Sequence, residues 1–270
     1  MSEYLIAVDL EGISGVVGEP YESLTPSSDY APACENAIKE INTAVASLFD
    51  HGATRVAVWD NHGAGDNLDF SKIDKRAEKV DWRRYPYRMD FALDYNFKGI
   101  IYIGYHAREG SFNGILAHTF NSKSIQYVKI DSKPVGELEI DSYIAATHGM
   151  APIFCSSDKA CVDQFRKSSP ETVFVVTKYG TSRNSAELRP LDEVLRDIYD
   201  GVASALERGI EPISHPLPLT LEVRYTRAER AAEVYAFAKE HSGVSDIKYG
   251  DDTHTLFFTI SEMNRVPKML

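Results

Sequence analysis

Three short apolar runs decide most of what this chain can become. Tyr4–Val8, Arg55–Trp59 and Ile100–Tyr105 are too short for core helices and carry no polar alternation. Each is therefore a strand buried on both faces, which in practice means a parallel sheet covered by helices. Each run also gives way directly to polar residues: Asp9, the turn Asp60-Asn61-His62, and His106. Between the first two runs, Ile38, Ile41, Val45 and Leu48 recur at three- and four-residue steps before Gly52, the pattern of an amphipathic helix with a stop. Strand, helix, strand implies a parallel pair.

The alternation continues. Gln126–Ile130 reads as a strand closed by the turn Asp131-Ser132-Lys133-Pro134, and Val135–Thr147 as a helix ending at Gly149. Ile153–Cys155 and Thr172–Thr177 are two further strands around a helix near 158–167, and a long helix spans Leu191–Arg208. Pro212 to Pro218 has the composition of a linker. Beyond it follow a strand at Leu219–Tyr225, a helix at Thr226–His241 and strands at Val244–Tyr249 and Thr253–Ile260. The expected fold is α/β: a largely parallel sheet flanked by helices over residues 1–211, and a smaller α+β domain over 212–270.

Composition narrows the partners. With 43% hydrophobic residues over 270 positions the chain can bury a substantial core, and a net charge of -11 leaves no concentrated basic surface for nucleic acid. Met1 to Asp9 carries no basic stretch followed by an apolar one, and no run approaches the roughly 20 apolar residues that span a bilayer. Cys34, Cys155 and Cys161 lack metal-ribbon spacing and read as reduced structural thiols. The expectation is a cytoplasmic protein without a membrane partner.

Ligands of open α/β sheets bind outside the carboxyl ends of the strands, where the loops diverge. Asp9, His62 and His106 each follow a different strand, Glu11 faces the same side as Asp9 if the chain stays extended, and Glu137 lies near a helix start. Alone, each is commonplace, since an aspartate after a strand usually caps a turn. Together, carboxylates and imidazoles without thiolates suit Zn²⁺. Five ligands exceed one tetrahedral site and suggest two ions sharing a carboxylate, with Asp9 the bridge. Lys178, Tyr179 and Arg183 belong either to a solvated loop or to a site for a peptide carboxylate. His51, His148, His215, His241 and His254 sit at helix ends, in a linker or on a strand and read as structural.

The segment Ala7-Val8-Asp9-Leu10-Glu11-Gly12-Ile13-Ser14-Gly15 resembles the opening motif of the DppA-type D-aminopeptidases, a family of binuclear zinc peptidases. Asp60-Asn61-His62, Gly104-Tyr105-His106-Ala107, Gly114-Ile115-Leu116-Ala117-His118, Pro134-Val135-Gly136-Glu137-Leu138 and Ser182-Arg183-Asn184-Ser185 look like its later motifs, in order. The similarity covers about the first 185 residues and loosens beyond about 215. Ala7 stands where the family usually has Ser.

That resemblance places Asp9, Glu11, His62, His106 and Glu137 on metal-ligand positions and His118 on the proposed nucleophile position. It implies two Zn²⁺ per subunit, replaceable by Mn²⁺ or Co²⁺, short peptide substrates opened at an N-terminal, D-configured residue, and a decamer of two stacked rings. From its own apolar surroundings, His118 reads equally as a buried, hydrogen-bonded core histidine; the resemblance favours a functional role, as nucleophile, general base or oxyanion stabiliser. Two rivals remain at the level of sequence: another metal-dependent amidase or phosphoesterase, for which Arg108 is the nearest cation, and a dipeptide-binding protein whose metal is structural.

Overall fold

The computed structural model describes residues 2–270. Along the chain these form β1 (Glu3–Val8), α1 (Tyr30–Asp50), β2 (Arg55–Asp60), β3 (Ala77–Lys79), β4 (Phe97–Tyr105), β5 (Ile125–Ile130) and β6 (Lys133–Pro134). There follow α2 (Glu137–Thr147), β7 (Ala151–Asp158), α3 (Lys159–Ser168), β8 (Val173–Ser182), β9 (Ser185–Leu188) and α4 (Leu191–Leu206). Last come β10 (Leu219–Tyr225), α5 (Ala228–Lys239), β11 (Val244–Tyr249) and β12 (Thr255–Ile260), before a 3₁₀ segment, Met263–Met269.

One sheet has the order β3-β2-β1-β4-β7-β8-β9, parallel except for its last hairpin. Its apolar runs are uninterrupted because alternate residues feed two different cores. Ile6, Val8, Val56, Val58, Ile101 and Ile103 pack with α1 and α4 on one face. Leu5, Ala7, Ala57, Trp59, Ile100 and Tyr102 pack on the other face with α2 and the second layer. The central position of β1 brings three strand ends side by side: Val8 pairs with Asp60 of β2 and with Ile103 of β4.

The second layer is an antiparallel sheet, β11-β12-β10-β5-β6. Its members β5 and β6 come from inside residues 1–211, so the boundary expected near residue 212 is crossed by a sheet in which Leu221 pairs with Ile130. A strand's partner depends on contacts distant in sequence, which local periodicity does not contain. The first sheet is also longer than its apolar runs. β8 continues through Ser182 and turns back as β9, and the segment between β2 and β4 contains β3 and three 3₁₀ turns. No helix among the described residues is long and apolar enough to cross a membrane.

Candidate metal centre

The chain after β1 turns across the end of β4 and is held there by backbone contact. Asp9 N donates to Ile103 O at 2.9 Å and Gly12 N to Gly104 O at 2.7 Å. This approach requires glycine on both sides. A Cβ on Gly12 would collide with the Tyr105 carbonyl oxygen, and one on Gly104, whose φ is +75°, with the Asp9 carbonyl oxygen. Lys178 fastens the same turn, donating from Nζ to Glu11 O and Ile13 O, both at 2.6 Å.

Lys178 therefore does not stand on a solvated loop. It is fully buried within β8, and burial pushes its ammonium down to about 8. Arg183 donates to Ala117 O, behind the His118 segment, while Tyr179 is exposed. Lys178 thus spends its ammonium on backbone carbonyls, while Arg183, itself exposed, commits its Nη1 to one.

Six side chains converge at this rim. His62 Nε2 lies 3.4 Å from Glu11 Oε1, and His106 Nε2 lies 3.4 Å from Asp9 Oδ2 and 3.2 Å from Glu137 Oε1. His118 stacks on His106 with ring centroids 4.0 Å apart, and its Nε2 is 3.8 Å from Glu137 Oε1. Ligand atoms of Asp9, Glu11 and His106 fall within 4.8 Å of one another, as do those of His106, His118 and Glu137. Asp9 and Glu11 come from the β1 turn, His62 and His106 from the ends of β2 and β4, and Glu137 from the first turn of α2, where the helix dipole favours a carboxylate. Phe120 N donates to Glu137 Oε1 at 2.7 Å.

The imidazoles share one orientation. His62 Nδ1 faces Asn67 Oδ1 at 3.1 Å, His106 Nδ1 faces Ala107 O at 3.0 Å, and His118 Nδ1 faces Leu116 O at 2.9 Å. Assigned from these acceptors, Nδ1 carries the proton in each ring and Nε2 offers a lone pair inward. Lone pairs of three imidazoles then face carboxylate oxygens across a buried space, with Glu11 Oε2 unpartnered. That arrangement is repulsive unless protons or cations stand between, and its nitrogen and oxygen donors suit zinc.

The same imbalance displaces the titrations. Burial pushes Asp9 well above the usual carboxylate range, reinforced by Glu11. For Glu11, burial works in the same direction, but contact with His62 outweighs it and holds the carboxyl well below its usual range. Burial opposes the charge on His62 while Glu11 raises it to about 10, and burial opposes the charge on Glu137 while His106 lowers it to about 2. His118 moves the other way, lowered by burial and then by His106. A neutral, acceptor-bearing His118 results.

Several supporting residues escape sequence reasoning. Asn67 orients His62 and is itself held by Asp60, whose Oδ2 accepts from Asn67 N at 2.7 Å and Leu68 N at 3.0 Å. Asp60 belongs to a motif recognised in the sequence, but nothing in the spacing signals Asn67. A buried network lies beside the cluster: Arg88 donates to Asp141, and Tyr105 and Asn61 donate to the same carboxylate at 2.8 and 3.2 Å. Leu116 and Phe120 on either side of His118 have φ of 49° and 58°, left-handed values that non-glycine residues adopt only where surroundings enforce them. Arg108, the cation a phosphoesterase would use, lines a separate cavity with Lys133 and Lys167.

The D-aminopeptidase of Bacillus subtilis (strain 168) is 25% identical over 228 residues, 84% of this chain and 82% of that relative. A solved structure, the Zn-dependent D-aminopeptidase DppA from Bacillus subtilis, described as a self-compartmentalizing protease, shares the fold with a TM-score of 0.86. Its sequence identity is 23%, and the match covers 99% of this chain and 94% of that one. The family model for D-aminopeptidases of peptidase family M55 matches residues 3–263, and the chain belongs to that family.

Proposed function

We propose that this protein is a zinc-dependent aminopeptidase that removes an N-terminal residue, D-configured as the family name implies, from short peptides. The observation that carries this reading is the inward set of three imidazole Nε2 lone pairs facing Asp9, Glu11 and Glu137. Asp9, Glu11, His62, His106 and Glu137 would hold two zinc ions, with Asp9 shared between them. Zinc bound there supplies Lewis acidity towards a peptide carbonyl and makes a water molecule acidic near neutral pH.

The chain's own groups do the rest. Carboxylates of the cluster bind and orient the cationic amino terminus. His118, neutral and fixed through Nδ1, accepts a proton at Nε2 and can return it to the leaving amine. The buried walls around His106 and His118 exclude bulk water, which strengthens every polar contact inside.

A decamer in the cytoplasm completes the proposal. Its support is the family pattern and the self-compartmentalizing assembly of the structural relative. Protein reconstituted with zinc, manganese or cobalt should hydrolyse D-aminoacyl amides or short peptides in preference to their L counterparts. Elemental analysis should give two ions per chain, and light scattering a decamer. Full metal loading without hydrolysis of any member of the panel would favour the dipeptide-binding alternative.

A further inference from the structure

A cavity of about 260 Å³ opens between the strand rim and the C-terminal 3₁₀ segment. It adjoins the ligand cluster on two sides. Asn61 and Gly63 in its lining flank His62, and Phe120, also in the lining, is the residue whose amide holds Glu137. Five aromatic side chains line it: Trp59, Trp82, Tyr85, Tyr87 and Phe120. The volume falls below the roughly 300–1,000 Å³ usual for small-molecule sites, so it fits a single residue better than an extended chain.

Its charges are unevenly committed. Arg88 is spent on Asp141, and Asp60 on the Asn67 and Leu68 amides. Lys268 is exposed, stands with Nζ 5.7 Å from the Tyr87 ring centroid, and has no carboxylate partner among the described residues. A cation without a carboxylate partner beside aromatic walls matches an apolar amino-acid residue with a free carboxylate.

We propose that this cavity is the subsite for the residue released behind the cleaved bond, so that the preferred substrates are dipeptides ending in a bulky apolar residue with a free carboxylate. The assignment rests on the aminopeptidase reading. It adds a polarity to the site: the amino end lies towards the acidic cluster and the carboxylate end towards Lys268.

The test uses the full-length, zinc-loaded protein and dipeptides with Gly, Leu or Phe in second position, each as free acid and as amide, with both configurations of the first residue. Phe or Leu should exceed Gly in kcat/KM by about tenfold or more, the range for an added apolar group in a fitted pocket. The acid should exceed the amide by about fivefold, the effect of an exposed ion pair. Lys268→Gln should bring the acid-to-amide ratio to about one, and Tyr87→Ala should narrow the Phe-to-Gly ratio. An unchanged acid-to-amide ratio in Lys268→Gln, or Gly equal to Phe in the parent protein, overturns the subsite.

If protein with full zinc content hydrolyses nothing, the aminopeptidase reading fails, and calorimetric titration with the Phe dipeptide acid then decides the subsite alone. Binding that weakens about fivefold in Lys268→Gln keeps it. Absent binding, or equal binding to both proteins, removes it.

Discussion

The rim of the parallel sheet and the antiparallel layer lie in one chain but are built on opposite principles. At the rim, Asp9, Glu11 and His106 are buried polar groups whose lone pairs confront one another. In the antiparallel layer, Leu221, Val223, Phe258 and Ile260 fill an apolar core, and charged groups stay at its surface. The first arrangement is unfavourable unless protons or metal cations stand between its groups; the second is stable as it stands. The rim should therefore govern activity and metal content, and the layer should govern stability.

Replacing Asp9 by Ala is the severest test. Turnover should fall to background and elemental analysis should find both metal positions depleted, while the circular dichroism spectrum is kept. A variant retaining two ions would break the shared-carboxylate model. Leu221→Ala strikes the other region: removal of a fully buried side chain should cost about 2–5 kcal/mol of stability in a denaturant titration. Its zinc content should remain at the parental level, and a loss of zinc in the folded variant would dissolve the contrast.

His118→Ala should lower kcat by about a hundredfold, the scale of a lost proton-transfer or oxyanion group, with metal retained. Loss of one ion would make His118 a ligand with His106 and Glu137, a grouping its position also permits.

The rim's titrations give a smaller signature after chelation. His62 is raised to about 10 from an ordinary value of 6.5, so its contribution is full below pH 6.5 and is lost as pH rises through 10. Metal-free protein should thus show a Tm that falls across that window, and zinc-loaded protein a flatter profile. The least effect belongs to the exposed Arg230–Glu233 pair on α5, where Arg230→Ala should change stability by less than about 0.5 kcal/mol.

The sequence discloses the rim more fully than the layer, for reasons visible in particular residues. Tyr4–Val8 and Ile100–Tyr105 are apolar on both faces, and that property alone identifies a central parallel strand and locates its polar end. The residues gathered at the rim, Asp9, Glu11, His62, His106, Glu137 and His118, could all be named because each adjoins such an element or a recognisable motif. Asn67 could not, since its role comes from a side chain folding back on His62. Lys178 looked like the start of a loop because the apolar run stops at Thr177, yet the strand continues and turns its ammonium inward. The partner of β5 was illegible for a different reason: Ile130 meets Leu221, and no local pattern encodes a distant neighbour.

That distant pairing has a consequence during synthesis on the ribosome. Every candidate ligand has been made once Glu137 emerges, but β5 waits about 90 further residues for β10, roughly 5–20 s at ordinary elongation rates. Through that interval Val128, Ile130 and the inner face of α2 lack the cover that Leu221, Val223 and Phe258 later supply. The nascent chain thus has the makings of its chemistry well before it can hide its apolar side, and this interval is when it most needs a chaperone's protection.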